Sequence, residues 1–142
     1  LTLFQNVRPF YFVTFNTRHR EQVLAVKSVH DAFLAFCQRA ETEHAIAVGR
    51  YVLMPDHVHF FVFLPEQGVR LSRWVGQLKR AMGNAAGTEH VTWQEGFFDH
   101  ILRSEESYSQ KWEYVRRNPE RAGLCRHAED WPWQGEIVRV EF

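Results

Sequence analysis

Hydrophobic and polar positions change period several times along the chain, and each change marks an element. Residues 9–16, Pro-Phe-Tyr-Phe-Val-Thr-Phe-Asn, are aromatic and β-branched and predict a strand. Val29, Ala32, Phe33 and Phe36 then recur at helical spacing, which predicts a helix over 29–41 with Ser28 as its N-cap. Residues 45–53 and 57–64 read as two strands joined by Met54-Pro55-Asp56. In that turn the proline fixes φ and the aspartate bonds its own backbone, so the pair is a hairpin. Leu71, Trp74, Val75 and Leu78 fall at i, i+3, i+4 and i+7 and predict a second amphipathic helix over 69–83, ended by Gly83 and Gly87. Residues 93–102 are extended, and Ser104 caps a third helix that runs to Asn118 and stops at Pro119. The remainder, with Trp131-Pro132-Trp133 and an alternating stretch over 137–142, reads as a loop and a short strand.

Strand, helix, hairpin, helix, strand is the split βαβ order of an α+β, ferredoxin-like fold, whose antiparallel sheet carries its helices on one face. With 142 residues, 45% of them hydrophobic, the chain suits a single domain over 1–142 with one substantial core. Seventeen basic and seventeen acidic residues give zero formal net charge, which argues against a nucleic-acid binder that relies on bulk charge. The basic set, however, is 14 arginines to three lysines, and arginine is the residue suited to forked phosphate contacts and to stacking on bases. It is also segregated. Residues 67–87 hold Arg70, Arg73, Lys79 and Arg80 with no acid, and 114–127 hold Arg116, Arg117, Arg121 and Arg126 against Glu120 alone. Each run is either a phosphate-binding strip or an ordinary solvated face. Cys37 and Cys125 lie far apart without metal or disulfide spacing, and no stretch approaches a membrane span, so a soluble, cytoplasmic protein is expected.

Two features carry chemistry. His57-Val58-His59 opens a strand, so both imidazoles project to the face that continues as Phe61 and Phe63, while Val58, Phe60, Val62 and Leu64 form the opposite, apolar face. Such a pair either converges on one metal ion or is two histidines at a strand end. In the third helix, Tyr108, Trp112 and Val115 make the buried stripe, whereas Tyr114 stands round the cylinder with Lys111 and Asn118. Tyr114 is therefore either a nucleophile or a boundary tyrosine with a wet hydroxyl. Phosphoryl transfer joins the two features. A phenol with an ordinary pKa of about 10 needs help at neutral pH, and a metal polarising the phosphate supplies it. Asn118, one turn after Tyr114, can place its amide oxygen on that metal. Tyr108, with no amide one turn later, is assigned to the core, and Cys37 and Cys125 to packing.

Met54-Pro55-Asp56-His57-Val58-His59 resembles the HUH motif of single-tyrosine transposases, with an HUH endonuclease core. Residues 93–103, Trp-Gln-Glu-Gly-Phe-Phe-Asp-His-Ile-Leu-Arg, and 114–124, Tyr-Val-Arg-Arg-Asn-Pro-Glu-Arg-Ala-Gly-Leu, are similar to the REP-associated tyrosine transposases. The resemblance spans about residues 9–133 and departs at Glu120, where an apolar residue is usual, and at Gln134-Gly135, where small serines are common. It implies His57, His59 and Asn118 as ligands of Mg²⁺ or Mn²⁺ and Tyr114 as the nucleophile that forms a 5′-phosphotyrosine on single-stranded DNA. The implied substrate is a palindromic repeat hairpin with a flanking tetranucleotide. Arg70, Arg73, Lys79, Arg80, Lys111, Arg116, Arg117 and Arg121 are the candidate DNA contacts, and Trp131-Pro132-Trp133 is either a stacking platform or a hydrophobic plug. The rival functions are a hairpin-binding protein without activity and a nickase of the rolling-circle initiator type. The short 103–107 connection leaves the tyrosine helix little slack, so a monomer acting in cis is expected over a homodimer.

Overall fold

In the computed structural model, residues 8–87 and 91–140 are described. The chain runs β1 (Phe10–Asn16), α1 (Lys27–His44), β2 (Ala47–Leu53), β3 (His57–Phe63), α2 (Leu71–Ala85), β4 (Phe98–Ile101), α3 (Glu105–Arg116), α4 (Asn118–Arg121) and β5 (Gln134–Glu136). The strands form one sheet in the order β4-β1-β3-β2-β5, with every neighbouring pair antiparallel. The first four strands thus have the arrangement expected of a split βαβ fold, and β5 extends it at the β2 edge.

The alternation along β3 decides what each face holds. Val58, Phe60 and Val62, with Val13 and Phe15 of β1, pack under α1 and α2 against Val29, Phe33, Cys37, Trp74, Val75, Leu78 and Met82. The other face sets Phe61 opposite Phe12 and Phe63 opposite Phe10, and then, toward the start of β3, His59 opposite Thr14 and His57 opposite Asn16. Four phenylalanines cannot be left in water at roughly 25 cal/mol per Å² of apolar surface. Helix α3 covers them: Tyr108 packs edge-on to Phe10 and Phe61, and Trp112 edge-on to Phe61. The expectation of helices on one face is therefore corrected. It holds for α1 and α2, whereas α3 lies on the opposite face, because β3 is apolar on both sides beyond its histidines.

Other departures are local. Helix α1 begins at Lys27 behind Val26, with no side-chain cap, so Ser28 lies inside it rather than ahead of it. The pairing of β2 with β3 shifts between Val48 and Tyr51, a bulge invisible in a run of apolar residues. Gly49 lies within it, where an added Cβ would stand 3.2 Å from Val140 Cγ2 and 3.3 Å from the Val138 carbonyl oxygen. The final strand forms earlier than expected, at 134–136, and continues only as two bonds from Ile137 and Val138 to Gly49 and Val48; residues 141–142 of the expected strand lie outside the described ones. Ser104 does cap α3, in a reciprocal box with Ser107. Pro119 sits within the first turn of α4, where its missing N–H is harmless.

Candidate active site

The site lies where the α3 face of the sheet runs out of phenylalanines. His57 Nδ1 donates to Asp56 Oδ1 at 2.6 Å, and His59 Nδ1 contacts Thr14 Oγ1 at 2.7 Å. The opposite nitrogens converge on one amide: Asn118 Nδ2 is 3.3 Å from His57 Nε2 and 2.9 Å from His59 Nε2. Because an amide nitrogen only donates, both Nε2 atoms are unprotonated acceptors, and both ring protons sit on Nδ1, toward Asp56 and Thr14.

Electrostatics keeps the rings neutral. Burial lowers the His57 pKa and outweighs the hydrogen bond and charge of Asp56, which pull the other way. Its contact with Asp56 is therefore a neutral N–H donating to a carboxylate. Burial also holds His59 down to about 3, helped by His57, Arg121, Lys111 and Arg20. Neutral imidazoles are the form that binds metal. Among the described residues, no three of His, Cys, Asp and Glu gather into a metal cluster. The donor set available is instead two imidazoles and one amide, which fits a divalent cation that keeps open positions for substrate oxygens.

Tyr114 lies one turn before Asn118 near the end of α3 and is 64% exposed. The Arg121 guanidinium lies 3.8 Å from its ring centroid and donates through Nη2 to Asn118 Oδ1 at 2.9 Å. Lys111 lies over Phe12, whose ring stacks on His59. The sequence-predicted His57, His59, Tyr114 and Asn118 are thus brought together, with Lys111 and Arg121 beside them. Asp56, Thr14 and Arg20, which stands 3.7 Å from Asp56, complete the surroundings and were not singled out by sequence. The Pro-Asp turn did place Asp56 beside His57; Thr14 is brought in only by strand register.

The family described as "Transposase IS200 like" matches residues 9–118 of this chain. The chain belongs to the IS200-like transposase family. It is accordingly an enzyme of the HUH single-tyrosine transposase type, and its resemblance to the REP-associated branch is borne out by its relatives. A REP-associated tyrosine transposase of Escherichia coli (strain K12) is 25% identical over 123 residues, covering 87% of this chain and 73% of that protein. A putative one from Haemophilus influenzae is 22% identical over 136 residues, covering 87% and 77%. The fold also matches a solved REP-associated tyrosine transposase bound to a REP hairpin, with a TM-score of 0.74 at 24% identity over 89% of this chain and 75% of the other. A putative transposase from Deinococcus radiodurans matches with a TM-score of 0.56 at 21% identity over 79% and 92%.

In this IS200-like transposase the remaining candidate DNA contacts separate into groups. Arg116 and Arg117 both grip Glu113, at 2.7 and 2.8 Å, and hold its carboxyl below the usual range. Lys79 donates to the carbonyls of Gln94 and Gly96 and anchors the loop before β4. Arg80 lines a cavity of about 350 Å³ with Lys79, Val91 and Trp93, while Arg70 and Arg73 line one of about 190 Å³ with His44, Trp74 and Gln77. Arg73, Lys79 and Arg80 belong to α2 and Arg70 precedes it as its N-cap residue, on the side of the sheet away from Tyr114. Trp131 is buried and donates to the Leu53 carbonyl, and Trp133 packs against both cores, as a plug would. Tyr108 is buried, with its phenol pushed up to about 12, as suits a core residue. Cys37 is fully buried and its thiol pushed up, and Cys125 is likewise raised, both by desolvation first. His100 lies exposed on β4, opposite Phe12. Glu120, one of the departures from the family pattern, accepts from the Ala128 N–H at 2.6 Å and ties α4 to the following turn.

Proposed function

We propose that this chain cuts and rejoins single-stranded DNA beside a repeat hairpin, with Tyr114 as nucleophile and His57, His59 and Asn118 as the holders of Mg²⁺ or Mn²⁺. The observation that carries this reading is the convergence of both Nε2 atoms on Asn118, one helical turn from an exposed Tyr114. The bound ion supplies Lewis acidity to the scissile phosphate. Tyr114 presents its phenol to the phosphorus; the new P–O bond to Tyr114 forms as the bond to the 3′ oxygen breaks. The phenol proton passes to solvent and the departing 3′ oxygen takes one up. The phosphotyrosine keeps the energy of the broken linkage, so an incoming 3′-hydroxyl can reverse the step and join a different end.

Arg121 and Lys111 place positive charge where the phosphate would sit. Asp56, which can only accept, sets the His57 tautomer, and at His59 the Asn118 Nδ2 contact puts the proton on Nδ1, where Thr14 Oγ1 accepts it, so that Nε2 is unprotonated on both rings. We take the chain to act as a monomer in cis, since the short 103–107 connection leaves the tyrosine helix little slack. The hairpin substrate is proposed by likeness to the solved relative that holds one.

The test is an adduct assay with a labelled hairpin oligonucleotide and Mn²⁺. Wild type forms a covalent protein–DNA species, Tyr114→Phe forms none while retaining binding, and His57→Ala and His59→Ala lower the yield by at least about 100-fold, the order expected for loss of a charge-stabilising group. A wild type that binds hairpins but yields no adduct with any divalent cation would replace this reading with that of a binding protein.

A further inference from the structure

Asn118 has two sides, and both are occupied. Its Nδ2 faces the two imidazoles, and its Oδ1 accepts from Arg121 Nη2 at 2.9 Å. A cation between the imidazoles needs the opposite arrangement, because only Oδ1 has lone pairs to offer. Turning the amide over would bring Nδ2 against the guanidinium, donor against donor, since arginine accepts nothing. Arg121 and a divalent cation therefore compete for one oxygen.

We infer that Arg121 is a positioning residue that holds Asn118 turned away from the metal until a DNA phosphate draws the guanidinium off, so that metal and DNA bind cooperatively. The inference rests on His57, His59 and Asn118 being the metal ligands. Arg121 is suited to the exchange. Its guanidinium lies on the face of Tyr114, the residue that must meet the phosphate, and its contacts lie at the exposed end of the site. A phosphate oxygen is a stronger partner for arginine than a neutral amide oxygen. Once Arg121 has moved to it, the amide can turn without facing a donor. By linkage, whatever factor DNA adds to metal affinity the metal must add to DNA affinity.

The prediction has an unusual sign: deleting a side chain at the site should improve metal binding. Free Mn²⁺ measured by electron paramagnetic resonance, without DNA, should show Arg121→Ala and Arg121→Gln binding Mn²⁺ about three- to tenfold tighter than wild type, the range of a lost charged hydrogen bond near a surface. The gain should vanish when Asn118→Ala is added. In a Tyr114→Phe background, an uncleaved hairpin oligonucleotide should tighten Mn²⁺ binding by a similar factor when Arg121 is present and much less when it is absent. Unchanged or weaker Mn²⁺ affinity in both Arg121 variants, with binding still lost in His57→Ala, would overturn the inference and leave the ligand assignment standing. Mn²⁺ binding that is indifferent to both His57→Ala and His59→Ala would overturn the assignment, and the inference with it.

Discussion

At the scale of single residues, the fold repeatedly buries imidazoles and keeps them uncharged. His30 contacts the Tyr51 hydroxyl at 2.7 Å, and burial lowers its pKa more than Asp31 raises it. His57 and His59 are lowered for the same first reason. A folded-state pKa below the unfolded value of about 6.5 means that the unfolded chain takes up protons first as acid is added. The stability that depends on neutral histidine is therefore complete above about pH 6.5 and is lost as pH falls toward the folded values. For His59 that window reaches to about 3. The metal-free protein should show a melting temperature that declines steadily from pH 7 to pH 5. His30→Gln, which removes one titrating group from under β2, should flatten the decline. A decline of unchanged steepness in that variant would show that His30 does not sense the folded environment in this way.

At the scale of elements, the close approach of β5 to β2 leaves no room for a side chain at Gly135. A Cβ on Gly135 would stand 2.7 Å from Tyr51 Oη and 3.1 Å from its Cζ. Tyr51 is 2% exposed and is held by His30, so the ring has little room to yield. Gly135→Ala should thus destabilise the protein by about 1–3 kcal/mol in urea unfolding, the usual cost of an overpacked contact. Gly68→Ala, whose Cβ would meet nothing and whose strain comes only from a φ of +89°, separates backbone cost from crowding. The contrast also shows what was legible in the chain. The hairpin, the two faces of β3, the Ser104 cap and the stripe of Tyr108, Trp112 and Val115 all follow from local spacing. The bulge at Gly49, the pairing of Gln134–Glu136 with β2 and the placement of α3 do not, because each depends on a partner far away in sequence. The same division runs through the candidate site: spacing puts His57 and His59 on one face of a strand and Tyr114 and Asn118 one turn apart, and the family resemblance supplies the roles proposed for them, whereas Thr14 reaches His59 only through strand register across 45 residues.

At the scale of the whole molecule, the zero formal charge bears on how DNA is held. Several cations that look available in the sequence are already engaged: Arg116 and Arg117 with Glu113, Arg50 with Glu136, and Lys79 with two backbone carbonyls. Lys111, Arg121 and Arg20, the last paired with Asp56, are cations gathered at the site itself, with Arg70, Arg73 and Arg80 on the far side of the sheet. A protein that neutralises only about three to five phosphates releases few counterions. The slope of log binding constant against log salt should then be about −2 to −4.5, at roughly 0.7–0.9 per phosphate contacted. Glu113 is the lever on this number, since one carboxylate restrains two arginines close to Tyr114. Glu113→Gln should free Arg116 and leave Arg117 only its longer 3.9 Å pair with Glu120, steepening the slope by about 1–2 and tightening hairpin binding at low salt more than at high salt. Fluorescence anisotropy with a hairpin oligonucleotide over a potassium chloride series reads both quantities. A wild-type slope steeper than about −6 would show that the engaged arginines leave their carboxylates when DNA arrives, and that Glu113 orders them for binding rather than withholding them.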